Sequence, residues 1–143
     1  MPPSAPVPIP GADPLTRAET PRPKPRILVV EDDPEMRSLL EEYLASSGFD
    51  ATAAPDVETA FARLREGPVD LVVSDLSLPD ESGITFLRKL TGAGGPVPRF
   101  IVITAFGDWR SYAEALALGA ARYMTKPFRM EELVREIRSA LVA

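Results

Sequence analysis

Five polar residues define the chemistry open to this chain: Glu31, Asp32, Asp75, Thr104 and Lys126. Each follows a short run of strand character. Ile27-Leu28-Val29-Val30 leads into Glu31-Asp32, Leu71-Val72-Val73-Ser74 into Asp75, Phe100-Ile101-Val102-Ile103 into Thr104, and residues 121–125 into Lys126. Apolar runs of four or five residues ending on an acid read as buried strands that deliver a charge to their carboxyl ends, where open α/β sheets keep their ligand chemistry. A carboxylate there costs several kcal/mol of desolvation unless something compensates it. Two carboxylates about 4 Å apart repel by roughly 4 kcal/mol even at an effective dielectric of about 20, so acids that meet need a cation between them. With no histidine and no cysteine in the chain, that cation must be hard and held by oxygens; Mg2+ or Mn2+ fits, as would calcium. Acids, metal, the Thr104 hydroxyl and the Lys126 ammonium together suit a phosphoryl group, whose oxygens they neutralise and hydrogen-bond. One carboxylate can then act as nucleophile and form an acyl phosphate.

The elements that must position these groups alternate regularly from Arg26 onward. Asp33 reads as an N-cap with Pro34 at the first helical position, and Met36, Leu39, Leu40, Tyr43 and Leu44 mark the inward face of a first helix that stops at Gly48. Residues 49–53 form a weaker second strand. Asp56 caps a second helix with Val57, Ala60, Phe61 and Leu64 inward, ended by Gly67-Pro68. Strand three covers 69–74. A third helix starts near Gly83 with Ile84, Leu87 and Leu90 on one face, and gives way at Gly92-Ala93-Gly94-Gly95. That stretch lacks the Gly-Lys-Ser/Thr ending of a phosphate-binding loop and reads as a connector. After strand four, a helix over 108–118 turns Tyr112, Ala113 and Leu116 inward and stops at Gly119. The last helix buries Met130, Leu133, Val134, Ile137 and Leu141.

Five strands alternating with five helices predict an α/β fold: a parallel sheet of order 2-1-3-4-5 with helices on both faces, as in flavodoxin-like folds. That order sets strands one and three side by side at the switch point. Glu31-Asp32 and Asp75 should therefore meet.

Composition narrows the class further. A chain of 143 residues supports one domain with a real core. A formal charge of −5 and a pI near 4.8 argue against direct nucleic-acid binding. No apolar run approaches the roughly 18 residues of a membrane span, and the start of the chain lacks the pattern of a secretory signal, so the expectation is a cytoplasmic protein. Residues 1–25 hold nine of the sixteen prolines and read as an extended disordered tail, either a solvated leader or a docking segment for a proline-reading partner. Residues 26–143 form the domain.

The residues just set out carry a resemblance. The chain resembles the receiver domain of bacterial two-component response regulators over about 26–143, through Val30-Glu31-Asp32, Asp75, Thr104-Ala105 and Lys126-Pro127-Phe128. The intervals fit as well: 43 residues from Asp32 to Asp75, 29 to Thr104 and 22 to Lys126. The resemblance implies a phosphoacceptor signalling domain that is no enzyme beyond promoting its own phosphorylation and dephosphorylation. Asp75 would be the phosphoacceptor, Asp32 a direct metal ligand, Glu31 a ligand through water, and Ser77 a ligand through its backbone carbonyl. Lys126 would pair with the phosphoryl oxygens, aimed by a cis Lys126-Pro127 bond. Thr104 and Tyr123 would act as the switch pair. The implied partners are a sensor histidine kinase upstream and, through the fourth helix, fifth strand and fifth helix, a downstream protein or a second copy. Arg110, Glu114, Arg122 and Arg135 are the charges expected to be exposed there.

Rival readings are weaker. A phosphatase of the haloacid-dehalogenase type wants a second acid two residues after its nucleophile, where this chain has Ser77. A flavodoxin wants a hydroxyl-rich phosphate loop where this chain has Glu31-Asp32-Asp33. A receiver-like interaction module that works without phosphorylation would lack one of the key groups, and all are present. Asp80 and Glu81 read as solvated loop residues. The fifth helix pattern runs almost to Ala143, which fits either a stand-alone receiver or the N-terminal part of a longer regulator. Phe106, bulky and apolar two residues after Thr104, should hinder the water that hydrolyses an acyl phosphate. Phe106→Glu is expected to quicken the loss of radiolabel from the phosphorylated protein; an unchanged rate would remove the steric explanation.

Overall fold

The computed structural model describes residues 23–105 and 107–142. Its elements are β1 (Arg26–Val30), α1 (Pro34–Ser46), β2 (Asp50–Ala54), α2 (Val57–Glu66), β3 (Leu71–Asp75), α3 (Gly83–Gly92), β4 (Arg99–Thr104), α4 (Trp109–Ala117), β5 (Arg122–Thr125) and α5 (Met130–Val142). All strand pairings are parallel and the order is β2-β1-β3-β4-β5, as the alternation predicts. The strands begin or end within two residues of the expected positions. Of residues 1–22, expected as a tail, nothing is described; the carbonyl of Pro25 already accepts a hydrogen bond from Asp50 N at 2.9 Å, beside the first rung of β1 on β2.

The three central strands are apolar because both of their faces are covered. Ile27, Val29, Leu71, Val73, Ile101 and Ile103 face one layer, packed with Leu40 and Leu44 of α1 and Leu133 and Ile137 of α5. Leu28, Val30, Val72, Phe100 and Val102 face the other, against Ala60 of α2, Phe86 and Leu87 of α3 and Ala115 of α4. Successive side chains alternate sides, so a continuous apolar run feeds two cores at once. Among the described residues the buried polar side chains are Glu31, Ser74, Asp75 and Thr104, all at or beside the carboxyl ends of β1, β3 and β4. The polar chemistry is thus confined to one edge of the sheet.

Helix starts follow local rules. Asp33, Asp56, Ser82 and Asp108 each accept a hydrogen bond from a backbone N–H in the first turn of their helix, at 3.3, 2.7, 3.1 and 2.8 Å. These contacts satisfy donors that a helix leaves without internal partners. Asp33 therefore has the capping role read from its position.

Two helical faces differ from expectation. In α1, Leu39 is 55% exposed, and the inward stripe runs through Met36, Leu40, Tyr43 and Leu44 instead. In α4 the expected face is reversed. Ala115 is fully buried, while Tyr112, Ala113 and Leu116 are exposed, with Trp109 beside them at 79% exposure. A small residue on the buried face lets α4 lie close to the sheet, and Tyr123 of β5 packs against the same apolar cluster as Ala115. The large apolar side chains are turned outward. The charges expected on this side also divide: Arg110 and Arg135 are exposed, Arg122 is half-buried with Nε 2.6 Å from Glu136 Oε1, and Glu114 is paired with Arg88 of α3.

The reversed face is open to test by urea denaturation. Leu116→Ala should change stability by no more than about 0.5 kcal/mol, as surface substitutions do. Ala115→Leu should cost about 1–3 kcal/mol by overpacking. A loss of about 2–5 kcal/mol for Leu116→Ala, the cost of emptying a core site, would restore the face expected from the sequence.

Candidate functional site

The register of the sheet brings the acids together. β1 and β3 are neighbours with Val30 opposite Ser74, so the next residues, Glu31 and Asp75, emerge side by side. Lys126, just past β5, reaches back across β4 to them. Its Nζ lies 2.8 Å from Glu31 Oε1 and 2.8 Å from Asp75 Oδ2. The backbone holds the other oxygens: Ser77 N donates to Asp75 Oδ1 at 3.0 Å, and Asp33 N donates to Glu31 Oε2 at 3.1 Å. Glu31 and Asp75 are buried at 1% and 5% exposure, whereas Asp32 is exposed. The buried acids take the lysine and the exposed one faces solvent.

Burial pushes the Glu31 carboxyl above its ordinary value; the Lys126 hydrogen bond and the Asp33 N–H pull the other way, and the Asp75 charge adds to the rise. Burial would lower the Lys126 ammonium, but its bonds to Asp75 and Glu31 outweigh that and hold it above an ordinary lysine. Both effects express one fact, that a carboxylate pair and an ammonium share a partly dry edge.

Glu31, Asp32 and Asp75 each offer a carboxylate oxygen, and these oxygens lie within 4.8 Å of one another. Oxygens around one octahedral Mg2+ stand about 3 to about 4 Å apart, so a modest closure would bring all three to one ion. A water between Glu31 and the metal would relax even that. With three carboxylates and one ammonium ionised, the cluster carries two negative charges, which a divalent cation would neutralise. The donors are all oxygens, which suits a hard metal. The residues fit Mg2+.

Thr104 closes β4 at 2% exposure, and its carbonyl accepts from Lys126 N at 2.8 Å. Thr104 and Ser77 line one groove of about 380 Å³ beside the acids. The Lys126-Pro127 peptide bond is cis. Tyr123 is half-buried, with its ring edge-on to Tyr112 at 5.3 Å and its hydroxyl enclosed without a well-aligned hydrogen-bond partner. Burial, and then the Asp108 charge, push its phenol above the ordinary value, and the Asp108 N–H offsets part of that rise. A Cβ added at Gly107 would come within 3.0 Å of that hydroxyl, so the loop between β4 and α4 lies directly over the ring. Phe106 falls outside the described residues.

Two residues matter here in ways the sequence did not signal. Asp80 lies exposed in a loop, as expected, and also caps α2 from a distance: its carboxylate accepts from Val57 N at 3.1 Å and Glu58 N at 3.0 Å. Slight desolvation would raise its carboxyl, but these donors and the Glu81 N–H hold it below an ordinary aspartate. Glu81 pairs with Lys89 at 2.7 Å. Gly83 sits against the site itself. A Cβ there would overlap the Asp75 carbonyl oxygen and stand 2.9 Å from Leu76 Cα. With Gly83 N donating to Leu76 O at 2.9 Å, the start of α3 is seated on the strand end that carries Asp75.

Known proteins resemble this chain in sequence and fold. Residues 27–138 match the response regulator receiver domain family. The chain is 40% identical over 116 residues to the two-component response regulator PhoP of Pseudomonas aeruginosa, covering 81% of this chain and 51% of that protein. It is 36% identical over 116 residues to the virulence transcriptional regulatory protein PhoP of Salmonella typhimurium, with the same coverage. The chain spans about half the length of these curated relatives. Among solved structures, a CheY-like receiver domain from Methanospirillum hungatei superposes with a TM-score of 0.79 at 25% identity, covering 83% of this chain and 94% of the other. The receiver domain of an HD domain-containing protein from Pseudomonas fluorescens gives 0.76 at 30% identity, covering 83% and 95%.

The chain therefore belongs to the response regulator receiver domains, signalling domains of two-component systems whose general function rests on phosphorylation and whose general partners are histidine kinases. Receivers of this family bind Mg2+ through acidic residues, and the acidic cluster stands where the sheet edge places it. No helix among the described residues is long and apolar enough to cross a membrane.

The lysine bridge makes a prediction about stability. Without Mg2+ near neutral pH, Lys126→Met should cost about 2 kcal/mol, less than for a deeply buried pair because the Lys126 side chain keeps 19% exposure. A Glu31 pKa above 4.5 means that protonation favours the folded state. The Lys126 bond pulls that pKa down, so without it the Glu31 carboxyl titrates higher and gains more from protonation, and the deficit of the variant should shrink on acidification. Urea titrations across pH check this; a deficit independent of pH would refute the charge argument.

Proposed function

We propose that Asp75 is the phosphoacceptor of a Mg2+-dependent phosphotransfer from a sensor histidine kinase. The observation that carries the reading is the enclosed Asp75 carboxylate, bonded to Lys126 and within reach of Glu31 and Asp32 at the carboxyl edge of the sheet. In the transfer, an Asp75 oxygen forms a bond to phosphorus as the phosphorus–nitrogen bond of a phosphohistidine breaks, and the electron pair leaves with the imidazole. Mg2+, held by Asp32 and Asp75 directly, by Glu31 through water and by the Ser77 backbone carbonyl, would supply charge neutralisation for the phosphoryl oxygens. Lys126 exchanges its contact with Asp75 Oδ2 for one with a phosphoryl oxygen. Thr104 donates a hydroxyl hydrogen bond to the same group.

A phosphoryl group adds about −1.5 to −2 charges at the sheet edge. The change biases two arrangements of Thr104, Tyr123 and the face made by α4, β5 and α5, with a coupling of order 1–3 kcal/mol. Support comes from the aromatic chain on that face, in which Tyr123 meets Tyr112 at 5.3 Å and Tyr112 meets Trp109 at 5.7 Å. Trp109, Tyr112 and Leu116 give this face an apolar stripe for a downstream protein or a second copy. The matched 116 residues cover 51% of the regulatory proteins that resemble this chain, so transcriptional control by a further domain is part of the same proposal.

The test is incubation with Mg2+ and acetyl phosphate or beryllofluoride, followed by intact mass and by the fluorescence of Trp109, the sole tryptophan. Wild type should gain one phosphoryl group from acetyl phosphate and shift its emission with either reagent, and Asp75→Asn should do neither. A wild type that responds to neither reagent would leave an interaction module that works without phosphorylation.

A further inference from the structure

Arg37, one turn into α1, belongs to neither core, and the site described so far does not use it. Its guanidinium reaches back over the loop between β1 and α1. Nη1 donates to the Glu31 carbonyl at 3.0 Å and to the Asp32 carbonyl at 3.2 Å. Its own backbone N–H donates to the Asp33 carbonyl at 2.9 Å. Three consecutive carbonyls of the acidic loop are thus tied to one residue. The Arg37 side chain is half-buried, so these bonds are partly screened from competing water.

We propose that Arg37 is a positioning residue for the metal ligands: its guanidinium fixes the two peptide groups that carry Glu31 and Asp32, and so presets their carboxylates for a divalent cation. The inference rests on the metal-binding part of the function proposed above. A guanidinium is a rigid planar donor, suited to holding two acceptors in fixed relation. Glu31 gains from this twice, because the loop geometry also aims Asp33 N at its Oε2. Charge alone would act in the opposite sense. A cation beside three acids repels Mg2+, so losing it should tighten metal binding. Losing the clamp should weaken binding, since groups that orient metal ligands are typically worth about 10- to 100-fold in affinity. The sign of the change separates the two effects.

Calorimetric titration of the full chain with Mg2+ tests the proposal, with melting in EDTA as the check on folding. Arg37→Ala should weaken Mg2+ binding by about 10-fold or more. Arg37→Lys, which keeps the charge but lacks the planar guanidinium, should also weaken it and serves if the alanine variant does not fold. Arg138→Ala is the matched control: it removes a guanidinium bond to the Ser47 carbonyl, 2.8 Å long at the far end of α1, and should leave Mg2+ affinity unchanged. Unchanged or tighter binding by Arg37→Ala, or an equal loss in Arg138→Ala, would overturn the clamp. A wild type that takes up no Mg2+ would overturn the metal reading itself, and the clamp with it.

Discussion

A single ammonium group lies between two enclosed carboxylates, and the carboxyl edge of the sheet is organised around that contact. Lys126 Nζ sits 2.8 Å from both Glu31 and Asp75, which come from neighbouring strands and would otherwise repel across a partly desolvated gap. The contact spans the sheet, since β1 and β3 bring the acids while Lys126 arrives from the end of β5. It fails if any one of these strands slips. A shift of one residue would turn Glu31 or Asp75 into the opposite layer and leave an unpaired charge in an apolar core. The electrostatics of the site and the register of the sheet are therefore one constraint.

The bridge also explains why a metal can be accommodated without rebuilding the site. Lysine offsets one of three negative charges, so the resting cluster stays anionic and open toward Asp32, its exposed member. The second oxygens of Glu31 and Asp75 each accept one bond, from the backbone N–H groups of Asp33 and Ser77, which leaves lone pairs for a metal. The acids are fixed from behind by main chain and in front by a movable ammonium. Loop geometry is kept by residues outside the cluster: Gly83 permits α3 to seat on the Asp75 strand end, and Asp80 ties the following loop to α2.

The strands were legible because central strands covered on both faces read as unbroken apolar runs. The meeting of Glu31, Asp75 and Lys126 at one edge was legible because each closes or follows a strand and the strand order sets those strand ends together. What escaped is long-range or steric. Asp80 caps α2 across 23 residues, and no local pattern reports a cap supplied from another loop. Gly83 reads as a helix start until the backbone of Asp75 is known to lie against it. Arg37 looks like one more charge on a helix unless the path of the preceding loop is known.

The reversed face of α4 is a failure of a different kind. Periodicity gave Tyr112, Ala113 and Leu116 as one apolar stripe, and the stripe exists, but it faces solvent together with Trp109. A pattern cannot tell a buried face from an unpartnered one when a small residue such as Ala115 supplies the actual packing. Local rules that a folded chain breaks tend to mark functional surfaces, because burying the large side chains would have been more favourable to stability. Here the exposed stripe is joined ring to ring with Tyr123, whose enclosed hydroxyl lies beneath the loop that follows Thr104. A charge change at Asp75 that moved Thr104 would act on that loop, and the loop rests on Tyr123. Under the proposed switch, the exposed aromatics would be the outer end of a path from the carboxyl edge, and the outward orientation of α4 would have a reason that packing alone does not supply.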